Sequence, residues 1–221
     1  MNENNENSDL KKETAEAISQ VKDVIKNVDI KEETERTKGF FLDMLSNPIG
    51  KIEEVSGSDS KFLSVAIVIM AVWTASAFLR SVLFAISRTW SFRDVIPRIV
   101  DVITSTISPA AIIIVLSLGV YIFYKDKIKR FMPVVITIII ASSPRAAGAV
   151  LSILSALIPG SAIIISSAGA FLYLISVVLV YFALKVLVGE DDDKKFFISF
   201  IKIQCVYFVA RIVLSAFGVS I

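Results

Sequence analysis

Histidine is missing from all 221 residues. Its absence removes the commonest general base and the commonest zinc ligand together. No Ser-His-Asp or Cys-His site can be assembled without it. Cysteine is almost as scarce: Cys205 stands alone, so the chain cannot close a disulfide within itself. No glycine-rich phosphate loop with its lysine occurs. The carboxylate clusters Glu53-Glu54 and Asp191-Asp192-Asp193 lie in polar stretches, where a charge run is ordinarily a solvated face. The second also lacks the glycine and closing glutamate of a calcium-binding hand. A net charge of +2, with no Lys/Arg tract interleaved with aromatics, does not describe a nucleic-acid binder. The Asn/Glu-rich start offers no apolar core for a cleaved signal peptide. These absences argue against an enzyme, against any metal or other cofactor, and against nucleic acid as a partner.

What is abundant is apolar. Hydrophobic residues make up 55% of the chain and the mean hydropathy is +0.72, more than the core of a soluble domain of this size needs. Charge gathers before residue 62, and long stretches beyond it carry none. The expected class is all-α: a polytopic membrane protein whose bundle of five transmembrane helices follows an amphipathic N-terminal cytoplasmic segment. Three regions result. Residues 1–36 form a disordered or amphipathic head, 37–61 an interfacial helix and linker, and 62–221 the membrane domain, with spans near 62–87, 105–124, 131–158, 162–187 and 196–217.

In the head, Ile18, Val21, Ile25 and Val28 recur at spacings of three and four. This predicts a helix over 10–30, from Leu10 to Ile30, whose stripe can meet the membrane surface or pair with a partner protein. A second short helix over 37–45 carries Phe40, Phe41 and Met44 on one side, suits the headgroup layer, and ends at Asn47-Pro48. Between the first two spans, Val95, Ile96, Ile99, Val100 and Ile103 oppose Asp94, Arg98 and Asp101, which predicts an amphipathic segment over 94–104 on the membrane surface, bent at Pro97. Residues 109–124 alone reach only about 24 Å at ~1.5 Å per residue, so the second span begins a turn earlier or crosses a thinned bilayer.

Loop charge orients the chain. The loops at 125–130 and 185–195 are rich in Lys and Arg, whereas the turn at 159–161 and the tail have none, so the N-terminus is expected in the cytoplasm and Ile221 outside. Arg80, Arg88, Arg93 and Arg98 between the first two spans run against that pattern.

Two cations fall deep within spans. Arg145 is about 20 Å from either end of its segment and Arg211 about 22 Å from Phe196. Facing lipid would cost each roughly a few kcal/mol or more, so both should point into the bundle or a wet cavity. Arg145 follows the break Ser142-Ser143-Pro144. It can serve the backbone carbonyls freed there together with serines such as Ser142 and Ser166. Alternatively Arg145, Arg211, Ser142, Ser143 and Pro144 form a site for an anion such as a lipid phosphate. Membrane lipids, anionic headgroups among them, are the expected partners. Lys202 sits near the end of its span and can snorkel to the surface.

An aromatic-then-proline segment (Phe40, Phe41, Asn47, Pro48, Ile52), five spans, the mid-span Ser143-Pro144, and a fourth span that runs through Lys185 and a polar loop into Phe196 together resemble the Yip-domain family of Ypt/Rab-interacting membrane proteins, over about residues 38–221. The acidic-Leu-Tyr-Gly-Pro motif of its eukaryotic members is missing, and the composition is closer to prokaryotic relatives. The resemblance implies a non-catalytic scaffold or organising protein of a prokaryotic cell membrane, with the N-terminus inside and the C-terminus outside. The alternative is a small transporter of lipid or anionic solute that uses Arg145 and Arg211.

Overall fold

A long charge-free segment placed in lipid has no water for its peptide groups, and the helix is the local structure that pairs them all. The computed structural model describes residues 30–56, 61–87, 95–128, 130–158, 160–190 and 192–216, with positions 15, 19 and 22 before them. From Ile30 onward the described residues form helices and no strand: α1 (Ile30–Ser46), α2 (Pro48–Ser56), α3 (Leu63–Ser87), α4 (Val95–Tyr124), α5 (Phe131–Ala141), α6 (Ser143–Leu157), α7 (Ala162–Val188) and α8 (Asp193–Ala216). The protein is all-α. Four helices, α3, α4, α7 and α8, are long and apolar enough to cross a membrane, and α5 with α6 makes a fifth such unit bent by 44°. Most of the helix expected over 10–30, including Ile18, Val21, Ile25 and Val28, lies outside the described residues, as do Arg88, Arg93 and the tail 217–221.

Local sequence sets the breaks. Asn47 accepts the Gly50 N–H at 3.1 Å and so caps α2, whose first residue Pro48 has no amide to satisfy. Pro144 stands near the start of α6; its missing N–H and its ring favour the bend between α5 and α6. The carbonyl of Ala141, at the break, accepts a hydrogen bond from Ser176 of α7 at 3.4 Å. Gly189 closes α7 in the left-handed conformation, φ 56°, which glycine adopts at no steric cost. Asp192 caps α8 by accepting the amides of Lys194 and Lys195, each at 3.0 Å, so this helix starts at Asp193, ahead of the expected Phe196.

Two expectations are corrected. The segment over 94–104 is not a separate surface helix: α4 runs unbroken for 30 residues with Pro109 inside it. One proline removes one hydrogen bond, which a membrane helix supported by its neighbours tolerates. The helix expected over 37–45 extends from Ile30 to Ser46, and its aromatic face is turned into the bundle. Phe40 and Met44 are buried, as are Ile52 and Val55 of α2 at 1% exposure. The Phe40 and Phe62 rings lie 5.5 Å apart, and α2 packs on α5 and α7.

We call the end of the bundle that carries α1 and α2 the head end, and its opposite the far end. The half toward the head end is closely packed and mainly apolar. Ile69, Leu116, Val120, Ile136, Ile138, Ile140, Val180 and Leu184 are all buried there, around α5 at the centre. Ion pairs rim this half. Glu190 joins Lys127 at 2.9 Å and Lys195 at 3.4 Å; Glu54 joins Lys61 at 2.7 Å and Lys51 at 2.9 Å. The hydrogen bond from Lys61, then that from Lys51, holds the Glu54 carboxyl below its ordinary range. The bond from Lys127 does the same for Glu190.

Candidate functional site: an arginine-lined cavity

In four helices the polar or small residues that break the apolar sequence recur at helical spacing. In α4 they are Arg98, Asp101, Ser105 and Ser108; in α6, Arg145, Gly148, Ser152 and Ser155; in α7, Ala162, Ser166, Gly169 and Tyr173; in α3, Ala77, Arg80 and Ser81, with Phe84 a turn further on. Steps of three and four place each set on one face of its helix. The helices turn these faces toward one another, and with Tyr207 and Arg211 of α8 they enclose a cavity of about 860 Å³. Its size is near the upper part of the ~300–1,000 Å³ range of ligand sites.

Four arginines line it: Arg80, Arg98, Arg145 and Arg211. Counting ~1.5 Å per residue from the far end of each helix, Arg98 lies about 5 Å deep, Arg211 about 8 Å, Arg80 about 10 Å and Arg145 about 18 Å. The cavity therefore runs from the far end to mid-depth, where Trp73, Ile112 and Arg145 stand above the packed half. Among the described residues Asp101 is the one acidic residue in its wall. Four guanidinium groups less one carboxylate leave a charge of +3. Among the described residues none of the four arginines forms an ion pair.

Arg145 is 8% exposed. Its guanidinium carbon lies 4.5 Å from the centre of the Tyr173 ring and 5.8 Å from that of Tyr207, a geometry in which the negative ring face attracts the cation. Its Nε and Nη1 are buried with no hydrogen-bond partner, and so is Nε of Arg98. Buried polar groups are nearly always paired, and among the described side chains with a buried, unpaired polar atom only Arg98 and Arg145 line the cavity.

Of the expected site residues, Arg145 and Arg211 share this cavity. Ser142, Ser143 and Pro144 do not line it. Ser142 and Ser143 are buried, and the Ser143 hydroxyl lies 3.9 Å from the Met44 sulfur of α1. Nε and Nη1 of Arg145 bond no carbonyl of the break, and the Ala141 carbonyl there accepts from Ser176. Ser166 donates to Ile163 of its own helix at 2.9 Å and lines the cavity. Arg80, Arg98 and Asp101 were missed as site residues. For Arg98 and Asp101 the signal is the helical period of the polar face of α4, which the sequence alone places on the membrane surface; Arg80 lies on α3.

Comparison of the chain with protein-family models, with curated proteins and with solved structures yields no match.

Proposed function

We propose that this protein is an integral membrane protein that binds an anion in the far-end cavity, as the binding step of a small transporter. Buried Arg145, with two donors unpaired inside a wall of charge +3, carries the reading. Each desolvated cation costs several kcal/mol unless compensated, and among the described residues no acidic side chain pairs with Arg145. With the N-terminus cytoplasmic, as the loop charges predict, the cavity faces the outside of the cell. Arg80 and Arg98 then belong to the site, which accounts for their position against the charge pattern.

A second reading is favoured by the closely packed half beneath Arg145: the cavity is blind, as suits a Yip-like scaffold or organising protein whose bundle is tuned by a bound anion without moving it. Proteoliposomes separate the two. Anion binding that depends on Arg145 and is accompanied by flux supports transport. Arg145-dependent binding without flux supports the scaffold. Absence of any anion binding to the wild-type protein overturns both.

A further inference from the structure

Beyond the arginines, the wall carries a second chemistry. Four serines that line the cavity spend their hydroxyl protons on their own helices. Ser81 donates to the carbonyl of Phe78 at 2.8 Å, Ser152 to Ala149 at 2.6 Å, Ser155 to Ser152 at 2.6 Å, and Ser166 to Ile163 at 2.9 Å. A hydroxyl has one proton and two lone pairs. With the proton committed, each of these oxygens offers the cavity acceptors only. The guanidinium groups offer donors only. A ligand that suits both must accept strongly at one point and donate at others.

Charge narrows the accepting part. A surplus of three positive charges is not matched by a monovalent ion. A phosphate monoester brings about −1.5 to −2 in one group with three acceptor oxygens, and guanidinium forks fit those oxygens in pairs. Size narrows the rest. At ~30 Å³ per water the cavity holds about thirty waters, far more than a bare phosphate displaces. The remainder of the ligand must fill a space walled by serine oxygens, and hydroxyl groups are the donors that such a wall takes.

Building on the anion reading above, we infer that the ligand is a phosphate monoester on a hydroxylated carbon body, a polyol phosphate, seated with its phosphate at Arg145 and its hydroxyls along Ser152 and Ser155. Such a group occurs free in water and as the headgroup of a single-chain lipid. The rings of Tyr173 and Tyr207 lie 4.5 and 5.8 Å from the guanidinium carbon, and the phosphate meets the part of the guanidinium that faces the cavity.

The test uses the full chain in phosphatidylcholine nanodiscs, with thermal stabilisation as readout and four probes: chloride, inorganic phosphate, glycerol 3-phosphate and lysophosphatidic acid. At least one of the two esters should act at a concentration about tenfold or more below inorganic phosphate, the scale of one or two added hydrogen bonds. Removing both acceptors by Ser152→Ala with Ser155→Ala should abolish that advantage and leave the response to inorganic phosphate in place. Arg145→Lys keeps the charge but not the fork, and should weaken every phosphate probe by about tenfold. Response to glycerol 3-phosphate assigns the ligand to the aqueous side, and response to the lipid alone assigns it to the membrane. If chloride or inorganic phosphate acts as well as both esters, and does so through Arg145, the polyol phosphate is overturned while the anion site stands. If no probe acts on the wild-type protein, the anion reading itself fails.

Discussion

Arg145 of α6 and Tyr173 of α7 form a cation–ring pair, with 4.5 Å between guanidinium carbon and ring centre, at the floor of a cavity in which Asp101 is the one carboxylate among the described residues. The pair partly compensates a buried charge without consuming its hydrogen-bond donors. Attraction to the ring is worth ~0.5–2 kcal/mol, less than the several kcal/mol of burying the ion. The protein without ligand therefore holds Arg145 at a net cost.

Arg145→Leu should for that reason keep or raise the melting temperature in detergent while it removes anion-dependent stabilisation. A guanidinium bound to carbonyls of the α5–α6 break would give the opposite, a loss of ~1–3 kcal/mol from orphaned backbone acceptors. Thermal scans with and without phosphate read both quantities from one sample.

Tyr173→Ala should free the guanidinium from its ring. The expected result is a modest destabilisation, ~1 kcal/mol on the cation–π scale, with phosphate binding retained and weakened. Tyr173→Phe keeps the ring and should behave as wild type. A Phe variant as defective as the Ala variant would mean that the hydroxyl, not the ring, is what Arg145 needs.

Much of this arrangement was legible in the sequence. Charge-free runs marked the spanning helices, Ser143-Pro144 marked the break, and the cost of a mid-span cation turned Arg145 inward. The stripe of Arg98, Asp101, Ser105 and Ser108 was visible too, but a polar face opposite an apolar one looks the same whether it meets headgroups or a cavity. Periodicity says which residues share a face and not what the face meets. Ser176 bonding to Ala141, 35 residues away, and Met44 beside Ser143 are contacts between distant segments, for which local pattern carries no signal.

Docking of α1 and α2 makes a prediction about the head. Removing residues 1–29 should leave the folded bundle intact, whereas Ile52→Ala should cost ~2–5 kcal/mol, the usual range for emptying a buried aliphatic site, because Ile52 is 1% exposed between helices. Chemical denaturation followed by Trp fluorescence measures both. A head deletion as damaging as Ile52→Ala would show that the first 29 residues also pack on the bundle.

The ion pairs of Glu54 set a pH dependence with a definite sign. Lys61 and Lys51 depress its folded value, so the stabilisation is complete above its unfolded value near ~4.3 and is lost as pH falls through the lower folded value. Lys51, raised chiefly by the hydrogen bond to Glu54, contributes below ~10.4 and loses that contribution as pH rises through its folded value. Because Glu54 is exposed, the effect should be small, of order ~1 kcal/mol or less. Glu54→Gln should flatten the acid limb of the stability profile; an unchanged acid limb would remove Glu54 from the account.

A hydrated, cationic cavity reaching from the far end to Arg145 is the feature on which the proposed function depends. Thiol labelling tests it most directly, with Cys205→Ser as background and Ser152→Cys as the probe, in sealed vesicles of known orientation. An anionic thiosulfonate should label Cys at 152 from one side only and about tenfold or more faster than a cationic reagent of the same size, as focused positive potential requires. Combining Arg145→Leu with Arg211→Leu should shrink that ratio. No labelling from either side, or equal rates for the two reagents, would contradict the claim.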